Sequence, residues 1–183
     1  MSWDHPIDDP SARADPPPSD SDLPGLIREL GEPLLDGLER QLSGSRQRAD
    51  ATGSYALATA VGLGFGRAKA ELCRETARLT DIGRIYEPAG AHHEAGAQLA
   101  MGAGIPEVVC EWMIGVAEHY DGTGPGGLSG SEIPVFSRII RAARRCEEFV
   151  ARGSGPGELR ALAGTELDPA MVDALASMLE RAG

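Results

Sequence analysis

Residues Ala117 to Arg138 read AEHYDGTGPGGLSGSEIPVFSR. At the centre, Asp121-Gly122-Thr123-Gly124-Pro125-Gly126-Gly127-Leu128, glycines crowd an acid, a proline and the nearby His119 too closely for ordinary helix or strand. The stretch is a loop, entered through Glu118-His119-Tyr120 and closed by Ile133-Pro134. The rest of the chain has to be read as whatever holds that loop in place.

The segments on either side carry helical patterns. Upstream, Ile105-Pro106-Glu107 starts a helix whose stripe is Val108, Val109, Trp112, Met113 and Val116 and which delivers the chain into the loop. Downstream, Phe136, Ile139, Ile140 and Ala143 mark a helix that also bears Arg138, Arg141, Arg144 and Arg145. The last three are expected to pair with Glu147 and Glu148 or to face water. His92-His93-Glu94-Ala95-Gly96 opens a further helix running through Leu99 and Met101. Successive helical residues point about 100° apart, so at most one of these two histidines is expected to face a common site.

Farther out, Ala49 to Leu63 and Arg67 to Leu79 read as two helices separated by Gly62 to Gly66, the second running into Thr80-Asp81-Ile82-Gly83-Arg84. Gly153 to Gly157 breaks the chain before a short helix over Glu158 to Ala163. Gly164-Thr165-Glu166-Leu167-Asp168-Pro169 then caps a last helix bearing Met171, Val172, Leu175, Met178 and Leu179. At the other end, Leu26, Ile27, Leu30, Leu34, Leu35, Leu38 and Leu42 predict an amphipathic helix over 23–43, with Asp22 as its cap and Pro24 in its first turn. That helix either packs on the main domain or pairs with its copy in a homodimer. Before it, Met1 to Asp22 is rich in Pro, Asp and Ser and has too little apolar surface to offset its ordering entropy, which predicts a disordered acidic tail. The organisation is thus a tail (1–22), an amphipathic helix (23–43) and one domain (44–183).

Composition sets the class and excludes several functions. A chain of 183 residues with 42% apolar and 4% aromatic content favours one all-α core of helices packed through small contacts. A formal charge of −11, without a basic stripe interleaved with aromatics, argues against a nucleic-acid polymer as partner. A small nucleotide stays open, because a few arginines can hold phosphates whatever the global charge. The 3 cysteines, Cys73, Cys110 and Cys146, form no CxxC pair, no leader pattern opens the sequence, and no run approaches the roughly 18 apolar residues of a membrane span. A cytoplasmic protein with no membrane partner is expected.

Taken in order, these segments resemble the HD-GYP branch of the HD phosphohydrolase superfamily. Thr80-Asp81-Ile82-Gly83-Arg84 resembles the family's HDIGK stretch, and His92-His93-Glu94-Ala95-Gly96 its HPxxG helix. Val116 to Leu128 resembles HHExxDGxGYPxGL, Ile133 to Ile139 resembles IPxxxRI, and Gly164 to Pro169 resembles GTxFDP. The resemblance covers Ala49 to Leu179 and is most specific in DGTG, GL and GSEIP. It implies an HD-domain helical bundle, iron or manganese ions held by His and carboxylate ligands, and hydrolysis of cyclic di-GMP or a related cyclic dinucleotide by a metal-bridging hydroxide.

The same resemblance shows what has changed. Thr80 stands where the family has the His of its HD pair, Val116 and Ala117 replace its two later histidines, and Arg144 falls at or near its final Asp. Asp81, His92 and Glu118 remain as residual family positions, and Asp81 with His92 forms a weak metal site at most, which is expected to stand unoccupied. His93 and His119 are the candidates for a rebuilt site, each one place away from the family's position. Arg138 matches the family's phosphate-approaching Arg and Arg84 replaces its Lys, so both are candidate ligand-binding residues, with salt bridges to Asp81 or Glu118 as the plainer reading.

In the family the glycine loop is linked to docking of partners such as diguanylate cyclases. Here Gly124-Pro125-Gly126 replaces GYP, so Asp121, Gly122, Gly124, Pro125 and Gly126 form a candidate interaction loop for a signalling protein. The expectation is a catalytically inactive regulatory, nucleotide-sensing or interaction module without a metal cofactor. The alternative is a phosphodiesterase with a reduced or rebuilt site that uses iron or manganese.

Overall fold

Proline fixes the backbone of a helix's first turn at no hydrogen-bond cost, and Pro24 occupies that place in α1 (Leu23–Gln41). In the computed structural model, which describes residues 19, 21–86 and 91–182, α1 runs unbroken through Pro33. The acidic tail lies, apart from Ser19, Ser21 and Asp22, outside the described residues. Asp22 sits at the N-cap position, but its carboxylate accepts the Ser19 hydroxyl at 2.5 Å rather than a helix N–H, so the expected cap is not made.

The apolar stripe of α1, with Ile27, Leu35 and Leu38 fully buried, packs on the main body. A Cβ at Gly31 would lie 2.8 Å from Leu79 Cδ2, so the missing side chain lets α1 approach α3 (Arg67–Leu79) closely. Charge fixes the same contact. Glu75, buried on α3, accepts Arg28 of α1 at 2.8 Å and Arg78 at 2.9 Å. Arg78 also reaches Glu32 of α1 at 2.9 Å and Asp50 at 2.8 Å.

Asp50 belongs to α2 (Ser45–Gly62), whose buried residues Ala49, Thr52, Gly53, Ala56, Thr59 and Ala60 are all small. That face lets α2 lie between α3 and α6 (Val135–Ala151), which contributes Phe136, Ile139, Ile140, Ala143 and Cys146. The helix begins at Ser45 rather than Ala49 because Glu39 accepts the Gly44 and Arg46 N–H groups at 2.9 and 2.8 Å. A carboxylate from α1 thus satisfies donors that the local sequence leaves open.

On the other side, α4 (His92–Gly102) and α5 (Glu107–Gly115) pack against each other, and a 3₁₀ turn, Ile82–Ile85, wedges into α4. A Cβ at Gly83 would fall on the His92 carbonyl and the Gly96 nitrogen, so this junction admits only glycine. The helix entering the glycine loop stops at Gly115, where a Cβ would meet Ser137 of α6. The short α7 (Pro156–Ala161) and α8 (Pro169–Ala182) close the end of the bundle over Leu159, Met171, Val172 and Leu175.

Among the described residues no strand forms, only isolated bridges at Asp121 with Ser129 and Ala163 with Leu167. The all-α expectation holds. Cys73, Cys110 and Cys146 are buried free thiols, and burial pushes the Cys146 thiol up to about 12. Among the described residues no helix is long and apolar enough to cross a membrane.

Candidate functional site

The glycine loop is built on one carboxylate. Glu118 is buried, and its oxygens accept the Gly126 N–H at 2.6 Å and the Leu128 N–H at 3.2 Å. This clamp leaves no space for a side chain at Gly124 or Gly126. A Cβ at Gly126 would stand 2.5 Å from Glu118 Oε1, and one at Gly124 would stand 2.6 Å from the His119 nitrogen and 2.7 Å from Glu118 Cα. Gly122 turns the chain at a φ of 84°, which L side chains rarely adopt. Asp121 accepts the Thr123 N–H at 3.0 Å and hydroxyl at 2.7 Å, bonds that hold its carboxyl below the usual range.

The loop is also tied to the Gly164 to Pro169 stretch. The Tyr120 and Asp121 N–H groups donate to the Glu166 and Thr165 carbonyls at 3.2 and 2.9 Å. His119 Nδ1 lies 3.0 Å from the Thr123 hydroxyl. Since that hydroxyl already donates to Asp121, His119 serves as its donor and stays on the loop. Asp121, Pro125 and Gly126 are exposed at the tip.

A second centre gathers around Asp81, beside the 3₁₀ turn. Arg144 of α6 donates from Nη2 to Asp81 Oδ1 at 2.7 Å, while His92 Nε2 lies 3.4 Å and Arg84 Nε 3.5 Å from the same oxygen. Burial opposes ionisation of Asp81, but the bond to His92 and the charges of Arg144 and Arg84 hold its carboxyl well below the usual range. Arg144 Nη1 lies 3.1 Å from His93 Nε2. A guanidinium can only donate, so Nε2 accepts and the His93 proton resides on Nδ1. Burial first, and Arg144 second, pull the His93 pKa down to about 3, so the ring is neutral.

Both histidines therefore reach one cluster, which corrects the expectation from helix geometry. Their rings stand 4.1 Å apart at 39° in the first turn of α4, and the site they serve is wide: His92 meets the carboxylate while His93 meets the guanidinium bound to it. The two ends of an ion pair span the angle between neighbouring side chains. His93 thus joins the Asp81 cluster, and His119 does not.

The neighbouring face of α6 is corrected too. Arg141 donates to the Val116 carbonyl at 2.7 Å and to Glu166 at 2.9 Å, and Arg145 binds Glu166 through Nε at 2.6 Å and Nη2 at 2.9 Å. Only Arg145 pairs with Glu148, at 2.7 Å, while Glu147 turns toward Arg48 at 3.5 Å. Arg138 donates to Asp168 at 2.5 Å and to the Ile133 carbonyl at 3.0 Å, so it fastens the loop exit to the start of α8. Sequence reading passed over Glu166. Its signal was the arginine spacing of Arg138, Arg141 and Arg145 on one helical face, which in a chain of charge −11 calls for acids opposite.

A metal cluster needs neutral or anionic donors converging on one point. Thr80 is buried and spends its hydroxyl on the Ala77 carbonyl at 2.9 Å, and Val116 and Ala117 carry no donor. Glu118 serves the loop, and Arg144 brings a positive charge onto Asp81. These residues do not fit a metal cluster; they fit a carboxylate held by a guanidinium.

Residues 64–170 match the HD domain family. Among solved structures, the chain is similar to a cyclic GMP-AMP specific phosphodiesterase of V. cholerae, with a TM-score of 0.68 and 19% identity over 86% of this chain. The match takes in 49% of that protein, so the chain spans about half its length. No curated protein matches the sequence.

Proposed function

The chain belongs to the HD domain family, and from that membership we propose that it is a catalytically inactive, HD-GYP-like module of cyclic-dinucleotide signalling, acting by nucleotide sensing or by docking a signalling protein. The observation that carries this reading is Arg144, whose guanidinium lies 2.7 Å from Asp81. Hydrolysis in this family requires a hydroxide made nucleophilic by metal ions. A tethered cation neutralises Asp81 as a metal would, yet it has no open position at which to bind and activate water.

The glycine loop supports the docking half of the reading. Its clamp presents Asp121, Pro125 and Gly126 outward on a fixed backbone. Arg84 and the arginines of α6 support the sensing half, as cations grouped in an otherwise acidic chain. The competing reading, a phosphodiesterase with a rebuilt iron or manganese site, draws on the convergence of Asp81, His92 and His93. It requires Arg144 to leave.

The test is hydrolysis of cyclic di-GMP and of cyclic GMP-AMP with iron or manganese added, beside calorimetric titration with both nucleotides. No turnover is expected. Turnover abolished by Asp81→Ala would overturn the reading in favour of the enzyme, while binding without turnover separates a sensor from a scaffold.

A further inference from the structure

Arg141, Arg144 and Arg145 occupy one face of α6 and, with Glu148 and Glu166, line a cavity of about 190 Å³. Arg84 adds a fourth cation, its Nε 3.5 Å from the same Asp81 oxygen that Arg144 contacts. The arginines face three carboxylates, Asp81, Glu148 and Glu166, and a neutral His93, so cations outnumber anions here although the chain as a whole is acidic.

The three arginines are not equally committed. Arg144 is engaged by Asp81 and His93, and Glu166 is enclosed by Arg141 and Arg145. Arg141 Nε, however, is buried and has no hydrogen-bond partner among the described residues. A buried donor of this kind calls for an acceptor. Burial, partly offset by Glu166 and reinforced by Arg145 and Arg144, also lowers the Arg141 pKa from its ordinary value. The least secured acid is Glu148: it and Arg145 are 28% and 36% exposed, and it makes a single 2.7 Å contact within one helix. Such half-exposed pairs are weak and exchangeable.

The cavity is smaller than the roughly 300 Å³ at which small-molecule pockets begin. It admits a tetrahedral oxyanion but not a base and sugar. Guanidinium forks match the oxygens of phosphate. We propose that Arg141, Arg144 and Arg145 form a metal-independent receptor for a phosphate dianion, either inorganic phosphate or the terminal phosphate of a mononucleotide, which takes the place of Glu148 on Arg145. This inference rests on the noncatalytic reading, in which no metal ion competes for the same corner.

The experiment is calorimetric titration of the full chain with inorganic phosphate and with 5′-GMP, both in EDTA. Saturable binding is expected. Phosphate binding as tightly as 5′-GMP identifies a free-oxyanion site, and tighter 5′-GMP identifies a terminal-phosphate site. Glu148→Gln removes the competing acid and is expected to tighten binding about fivefold, while Arg145→Gln weakens it by at least about as much. Because Glu148→Gln is read as a gain, it stays informative if Arg145→Gln folds poorly. Absence of saturable heat, a requirement for added iron or manganese, or no tightening in Glu148→Gln would overturn the proposal. Metal-dependent hydrolysis would overturn the noncatalytic reading instead, so the two failures are distinguishable.

Discussion

Two carboxylates, the buried Glu118 and the partly buried Asp81, anchor separate corners of this molecule, and their partners differ in kind. Glu118 binds backbone: the N–H groups of Gly126 and Leu128. Asp81 binds a side chain, the guanidinium of Arg144. The backbone contact at 2.6 Å leaves no room for a Cβ at Gly124 or Gly126, so the clamp depends on those two glycines. A side-chain contact can be kept by any group of suitable charge. At the Asp81 corner that group is a guanidinium, which supplies the counter-charge.

The widest way to break this contrast is steric. Gly124→Ala places a Cβ 2.6 Å from the His119 nitrogen and 2.7 Å from Glu118 Cα, atoms of the backbone that cannot swing aside. Unfolding in urea should show a loss of about 3 kcal/mol or more. A loss below about 1 kcal/mol would mean that the loop is softer than its clamp implies.

At the other corner the expected effect is smaller and depends on the partner. Asp81→Ala leaves Arg144, 13% exposed, without its carboxylate, and should cost about 1.5–3 kcal/mol. In Asp81→Ala combined with Arg144→Ala the stranded charge is gone, and the double variant should be more stable than the sum of the singles implies. Additive losses would show that the pair does not hold the corner.

The smallest effect is one of pH. His93 has its pKa pulled from the usual range to about 3, whereas the unfolded chain takes up the same proton near pH 6.5. Its contribution to stability is therefore complete above about pH 6.5 and is lost as the pH falls from there toward 3. Urea midpoints at pH 7.5 and 5 should differ more for the wild type than for His93→Gln. Equal differences would place the neutral ring elsewhere.

How much of this was legible in the sequence follows from the same contrast. Helices carried by regular stripes, such as Phe136, Ile139, Ile140 and Ala143 of α6, could be read directly, since burial imposes the period. The loop could be read because its glycines are required, at Gly124 and Gly126 by Glu118 and at Gly122, Gly127 and Gly130 by a positive φ. Thr80, Val116, Ala117 and Arg144 could be read one by one as residues poorly suited to bind a metal ion. What the sequence did not contain was the pairing: that Arg144 bridges Asp81 and His93, or that Glu166 closes on Arg141 and Arg145. Those partners lie on separate elements, brought together by packing rather than by spacing. The start of α2 was misplaced for the same reason, because its cap is supplied by Glu39 of α1.

The most direct measurement is the metal content of the purified chain after incubation with iron(II) or manganese(II) and removal of excess ion, with Arg144→Asp alongside. A guanidinium seated on Asp81 predicts far less than about one ion per chain for the wild type, and a rise when Arg144→Asp exchanges the cation for a further carboxylate beside Asp81, His92 and His93. About one ion or more per wild-type chain, lost on Asp81→Ala, would contradict it.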